Sequence, residues 1–215
     1  MADVRFRLAR ARLYVCVGRR PDLAGFGQAV AAAGVDLLQY RHKGVDDAGA
    51  PDVAEWREEV RAYRDLARSS ALVAVNDRAD LAGHVGAQVL HLGQQDMPPA
   101  VARELLGPAI GIGVSTHAPA EFDVAMADPD VDYCCVGPVW ATPTKAGRPA
   151  AGLALVRHAA AAGGDKPWFA IGGIDGERLD SVLDAGARRV VVVRAITAAS
   201  DPAAAAAALR ERLPG

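Results

Sequence analysis

Gln39, Arg41 and Lys43 alternate within Gln39-Tyr40-Arg41-His42-Lys43, so an amide and two cations share one side while the segment stays extended, and His42 takes the other. That trio suits a ligand with a hydrogen-bonding ring and a polyanionic tail, although a solvated basic loop explains the motif equally well. Carboxylates follow in Asn76-Asp77-Arg78 and His91-Leu92-Gly93-Gln94-Gln95-Asp96. Asp77 and Asp96, with cations nearby, suit one Mg²⁺, an ion that commonly takes one or two protein carboxylates and completes its shell with water and phosphate oxygen. As a general acid/base pair they are less persuasive, because neither lies in an apolar run that would raise its pKa. Asp77 also stands where a helix N-cap belongs.

Four more connections carry chemistry. Gly113-Val114-Ser115-Thr116-His117 offers a hydroxyl for phosphate, with Thr116 or His117 organising the turn that follows. Thr142-Pro143-Thr144-Lys145 places two hydroxyls and an ammonium on a loop bounded by Gly and Pro, suited to an anion and to a lid. Trp140 fits the base of that loop better than a stacking role. Gly172-Gly173 leaves backbone N–H groups open to a phosphate, and Arg194, ending a run of four valines, is hard to explain as mere surface. His91 reads as a packed strand-end histidine, and Cys16, inside an apolar run with no nearby His, is a weak candidate nucleophile.

All these residues follow short apolar runs: Leu13–Val17, Val35–Gln39, Ala71–Val75, Gln88–Leu92, Ala109–Gly113, Tyr133–Val136, Trp168–Ile171 and Val190–Val193. Such runs fit parallel strands buried on both faces. Helical patterns lie between them: Leu23–Ala33, a Val53-Trp56-Val60-Tyr63-Ala67 stripe, a turn or two within Asn76–Gly83, Pro98–Leu106, Pro119–Ala127, Gly152–Ala162, Gly176–Ala185 and Pro202–Leu213. Eight repeats in 215 residues leave about 27 residues each, near the roughly 30 of a βα unit. The expected architecture is therefore an α/β protein, a single (β/α)8 TIM barrel over residues 1–215, with 1–12 as an N-terminal extension or cap whose arginines are solvated. In that fold chemistry sits on the loops after the strands. An open doubly wound sheet is the alternative, but Gly18-Arg19-Arg20-Pro21 after the first strand is not its glycine fingerprint.

Composition narrows the function. The chain is 51% hydrophobic and 23% charged, and 24 Lys+Arg nearly balance 26 Asp+Glu for a formal charge of −2. No broad basic face exists for nucleic acid or an anionic membrane, so small phosphorylated molecules are the expected partners, and a homo-oligomer is possible. The N-terminus has no apolar leader and no run is long enough to span a bilayer, so a cytoplasmic protein is expected. Three cysteines fit buried reduced thiols rather than a disulfide framework.

Together the motifs Gln39-x-Arg41-x-Lys43, Asn76-Asp77-Arg78, His91-Leu92-Gly93-Gln94-x-Asp96, Gly113-Val114-Ser115, Gly137-Pro138-Val139, Thr142-x-Thr144-Lys145 and Ile171-Gly172-Gly173-Ile174 resemble the thiamine phosphate synthase family. The resemblance runs from Leu13 to Ile196, and its motifs stand in order, each at a different strand end. It implies that an aminomethylpyrimidine diphosphate and a thiazole ethyl phosphate are joined with release of diphosphate. It assigns Gln39, Arg41, Lys43, Asn76, Ser115 and Lys145, with the flanking Tyr40 and His42, to the pyrimidine diphosphate. Arg41, Lys43 and Lys145 become the catalytic cations, and Asp77 and Asp96 the Mg²⁺ ligands. Thr142, Pro143, Thr144, Gly173, Val193 and Arg194 fall to the thiazole phosphate. Arg194 departs from the small hydroxyl residue that many relatives carry there. Two rivals are a thiazole tautomerase-like relative using His117 for proton transfer, and a non-catalytic barrel that senses a phosphorylated ligand.

Overall fold

A computed structural model describes residues 4–41, 53–142 and 149–215 of the chain. Eight parallel strands close into one barrel in sequence order: β1 (Leu13–Val17), β2 (Leu37–Tyr40), β3 (Leu72–Asn76), β4 (Val89–Leu92), β5 (Gly111–Thr116), β6 (Tyr133–Val136), β7 (Trp168–Ile171) and β8 (Val190–Val192), with β8 pairing back onto β1. Helices α1 (Val4–Arg10), α2 (Leu23–Ala32), α3 (Val53–Leu66), α4 (Ala79–Val85), α5 (Pro99–Leu106), α6 (Pro119–Ala127), α7 (Gly152–Ala162), α8 (Leu179–Asp184), α9 (Arg194–Thr197) and α10 (Pro202–Arg212) surround it. The closed barrel expected from the run spacing is the observed fold.

Alternation along each strand divides the core. Tyr14, Leu37, Leu72, Ala74, Val89, Tyr133, Cys135, Phe169 and Val191 fill the interior. Their neighbours Val15, Leu38, Val73, Leu90, Ile112 and Val190 point outward and pack beneath the helices. Several expected strand bounds shift toward the C-terminus: β2 begins at Leu37 rather than Val35, and β5 continues to Thr116. Val35, ahead of β2, is still buried, so hydrophobicity alone does not reveal where pairing begins. In α3 the apolar stripe starts later than expected. Val53 is 67% exposed, and Val60, Tyr63 and Leu66 carry the burial.

Helix ends follow local chemistry. Pro99, Pro119 and Pro202 open their helices, where a missing N–H costs no hydrogen bond. The Asp201 side chain caps α10 by accepting from the Ala204 N–H at 2.9 Å. Gly86 closes α4 with φ 63°, a left-handed conformation that glycine adopts without a Cβ clash.

The N-terminal segment does more than lie in solvent. Leu8 of α1 is 1% exposed and joins the interior cluster, stoppering the barrel at the strands' N-terminal ends. Arg5 binds Asp132 at 2.7 Å and donates to the Pro108 carbonyl, Arg7 donates to the Ser70 carbonyl, and Arg12 donates to Pro214. These arginines, expected as solvated, lash the stopper to the barrel rim. All three cysteines are free and buried, and burial pushes the Cys134 thiol up to about 12. Among the described residues, no helix is long and apolar enough to cross a membrane.

Candidate active site

The same alternation that fills the barrel carries side chains into its mouth. Continuing the interior face past the hydrophobic layer brings Cys16, Gln39, Arg41, Asn76, His91 and Ser115 to the strands' C-terminal ends, where they line a cavity of about 350 Å³. The opposite wall is Gly137, Pro138, Thr142, Ile171–Ile174, Val193 and Arg194. Eight of the expected site residues therefore meet on one cavity: Gln39, Arg41, Asn76, Ser115, Thr142, Gly173, Val193 and Arg194.

Of the other described site residues, Asp77, Asp96 and Tyr40 do not line the cavity, and for Tyr40 the reason is the period of two. Its ring faces outward into the helical layer, and its hydroxyl donates to Glu58 of α3 at 2.9 Å. Burial and the Glu58 carboxylate push that hydroxyl up to about 12. The Tyr40 side chain thus supports α3 and does not face the cavity. His42, Lys43, Pro143, Thr144 and Lys145 lie outside the described residues.

A directional chain of side-chain hydrogen bonds crosses the first wall. The Cys16 thiol donates to Gln39 Oε1 at 3.0 Å, Gln39 Nε2 donates to Asn76 Oδ1 at 3.0 Å, and Asn76 Nδ2 donates to Asp77 Oδ2. This fixes which way both amides point. Gln39 is 2% exposed, so its remaining N–H and lone pair can be used only by a molecule in the cavity. The thiol's place beside Gln39 is a positional signal that strand alternation could have supplied, since Cys16 and Gln39 are register partners.

Asp77 does not cap α4: the residue at that position is Arg78, with no side-chain capping bond. Arg78 instead binds Asp80 and Glu59 and stacks over Trp56. Asp77 takes φ 59°, an uncommon conformation for a residue with a Cβ, while its N–H donates to the His91 carbonyl at 2.8 Å. Asp96 folds back so that its carboxylate accepts the Gly93 N–H at 2.6 Å. Among the described residues no group of three or more His, Cys, Asp or Glu gathers as a metal cage. Two carboxylates at neighbouring strand ends are nevertheless the hard oxygen donors that fit Mg²⁺, which leaves most of its shell to water and phosphate.

On the second wall, the ends of β6 and β7 press together. A Cβ on Gly137 would lie 2.1 Å from the Ile171 carbonyl oxygen, and one on Gly172 would lie 2.6 Å from Pro138 Cα. Only glycine permits this approach, which leaves backbone exposed to the cavity. The guanidinium of Arg178, a residue absent from the sequence expectations, donates to the Gly173 carbonyl at 3.0 Å and stacks 5.1 Å from the Trp140 ring centroid. Trp140 thus packs at the base of its loop, as its position suggested. Arg194 opens the short helix α9 directly after β8. The Gly172-Gly173 turn and the strand-eight loop together form the region where barrels commonly bind phosphate.

The floor is richer than the strand patterns imply. His91 is 6% exposed, with Nδ1 3.0 Å from the Tyr133 hydroxyl and Nε2 2.9 Å from Ser115 Oγ. His117 also lines the cavity, with Nδ1 against the Gly137 carbonyl and its backbone N–H donating to the Glu121 carboxylate. It organises the β5–α6 turn while facing the site.

With the geometry in place, likeness to known proteins becomes informative. The sequence pattern of the family described as thiamine monophosphate synthase matches residues 13–196. A thiamine-phosphate synthase of Acidothermus cellulolyticus is 54% identical over 213 residues, covering 96% of each chain. One from Mycobacterium tuberculosis is 56% identical over 215 residues, again covering 96% of each. Among solved structures, a thiamine phosphate pyrophosphorylase from Pyrococcus furiosus superposes with a TM-score of 0.77 at 29% identity, covering 96% of each chain. A 3-hexulose-6-phosphate synthase matches at TM-score 0.66 and 19% identity, a likeness of fold alone.

Proposed function

Because the chain belongs to the thiamine monophosphate synthase family and is a transferase of thiamine biosynthesis that makes thiamine phosphate, we propose how its residues divide that work. The observation that carries the reading is the two-walled cavity. One wall bears an amide, a guanidinium and a hydroxyl suited to an aminopyrimidine with a diphosphate tail, and the other bears a glycine turn and a second guanidinium suited to a thiazole ethyl phosphate.

Gln39, its amide oriented by Cys16 and Asn76, presents one donor and one acceptor to the pyrimidine edge. Arg41, with Lys43 and Lys145 from their sequence positions, meets the diphosphate. Asp77 and Asp96 are the residues that would hold Mg²⁺, and the ion when bound supplies positive charge against the leaving diphosphate. The bond that breaks is the C–O bond between the pyrimidine methylene and diphosphate, and both its electrons leave with the oxygen. The methylene cation that remains is stabilised by the electron-rich ring, and the thiazole nitrogen donates its lone pair to form the new C–N bond. Neither step requires a protein nucleophile. Catalysis then lies in cations placed where charge grows and in exclusion of water from the cation.

Thr142, Pro143, Thr144, Gly173, Val193 and Arg194 take the thiazole phosphate, with the guanidinium of Arg194 standing in for smaller hydroxyl donors. A cytoplasmic location belongs to the same reading, and a homo-oligomer is compatible with it. The direct test is incubation of the purified protein with both substrates and Mg²⁺, following thiamine phosphate and diphosphate. Equal amounts of the two products support it, and binding of both substrates without either product overturns it in favour of a sensing barrel.

A further inference from the structure

The cavity floor contains a relay whose far end, Tyr133, does not line the cavity. Tyr133 begins β6 inside the barrel, and its ring occupies the space left by Gly113 of β5: a Cβ there would lie 2.0 Å from the ring. The missing side chain therefore lets the Tyr133 ring cross to His91, with 5.5 Å between ring centroids. The Tyr133 hydroxyl lies 3.0 Å from His91 Nδ1, and His91 Nε2 lies 2.9 Å from Ser115 Oγ. Tyr133 is fully buried.

The polarity of the relay follows from counting protons. Burial holds the Tyr133 phenol well above its ordinary pKa, so it keeps its proton. The neighbouring Tyr14 hydroxyl, whose ring packs edge-on against Tyr133, stands on the donor side of its contact with the Tyr133 hydroxyl, so it does not take that proton. Tyr133 therefore donates to Nδ1, and a neutral His91 carries its own proton on Nε2 and donates it to Ser115 Oγ. With one lone pair of Oγ engaged from below, the Ser115 proton is released toward the cavity.

We infer that His91 and Tyr133 are positioning residues that hold Ser115 as a hydrogen-bond donor to the pyrimidine diphosphate. Neither is required to touch the substrate. The inference rests on the proposed contact between Ser115 and that substrate, and it goes further by fixing the direction of the hydrogen bond and the residues that enforce it. Gly113 belongs to the same device as the vacancy that admits the tyrosine ring.

Steady-state kinetics on the whole protein test the relay through a double-mutant cycle. Ser115→Ala should lower kcat/KM for the pyrimidine diphosphate, and His91→Leu should lower it by roughly three- to ten-fold, the scale of one net hydrogen bond. His91→Leu placed on Ser115→Ala should add little, because its action passes through the missing hydroxyl. His91→Gln, whose terminal amide can donate from near the Nε2 position, should recover much of the loss. Tyr133→Phe should resemble His91→Leu, and KM for the thiazole phosphate should stay within two-fold throughout. Far-ultraviolet circular dichroism and melting curves select the variants that are folded, and the His91→Gln and His91→Leu pair decides the matter if Tyr133→Phe is not among them. Losses that multiply independently, or equal activity of His91→Gln and His91→Leu, overturn the relay. An unaffected Ser115→Ala protein overturns the Ser115 contact and the relay with it, whereas a damaged Ser115→Ala protein with an additive His91→Leu overturns the relay alone.

Discussion

Arg194 begins α9 just after β8, so its backbone is held by the barrel while the residue lines the cavity. If it is a charge-assisted donor to phosphate, Arg194→Ala should raise KM for the thiazole phosphate by roughly ten-fold or more and leave the pyrimidine diphosphate almost unchanged. Substrate titrations check this, and an unchanged thiazole KM removes the role. The carboxylates predict a different signature. Asp77→Asn and Asp96→Asn keep side-chain size while removing charge, so the Mg²⁺ concentration giving half-maximal rate should rise by roughly 10- to 100-fold. Full activity of both variants with all metal chelated would remove Mg²⁺ from the mechanism. Asp77 has a further constraint in its φ of 59°. Asp77→Gly should relieve that backbone cost, gaining stability while losing metal response, a split between two measurements on one residue.

Strands and turns place these residues, and they were unequally legible. The alternation of Gln39 and Arg41 needed only a period of two, and the structure brings both to the cavity. The same period turns the Tyr40 ring away from the cavity, where it supports α3 from beneath. His91 was legible as a packed histidine but not as Ser115's neighbour, because the contact depends on β4 and β5 being register partners across the mouth. Gly113 resembled part of a phosphate-binding motif, whereas its evident physical demand is space for a tyrosine from the next strand. Arg178 gave no signal, since an arginine in the first turns after a glycine loop looks like ordinary surface. At this scale Gly113→Ala should destabilise the protein by about 1–3 kcal/mol through overpacking, read as a lower urea midpoint with the slope unchanged. Asp201→Ala, at the α10 cap, should cost about 1 kcal/mol by the same measurement and leave kinetics untouched.

Across the whole molecule, burial has pushed several weak acids the same way. Tyr14 and Tyr133 are held well above their ordinary range, while Tyr40 and Cys134 are pushed up to about 12. Each raised group binds its proton more tightly when folded. Its contribution is therefore complete below the unfolded pKa and is lost as pH rises through the interval up to the folded value. Folding stability measured in urea should fall from about pH 9 upward, first through Cys134 and then through the tyrosines. Cys134→Ala should flatten the onset of that fall even if it lowers stability near neutrality. The stopper at the other end gives the barrel its direction of traffic. With the packed interior layer beneath it and Leu8 at its base, the cavity does not continue through the barrel. If both substrates enter past the strands' C-terminal ends, whichever molecule lies deeper would leave after the other, and the order of arrival would constrain the order of departure.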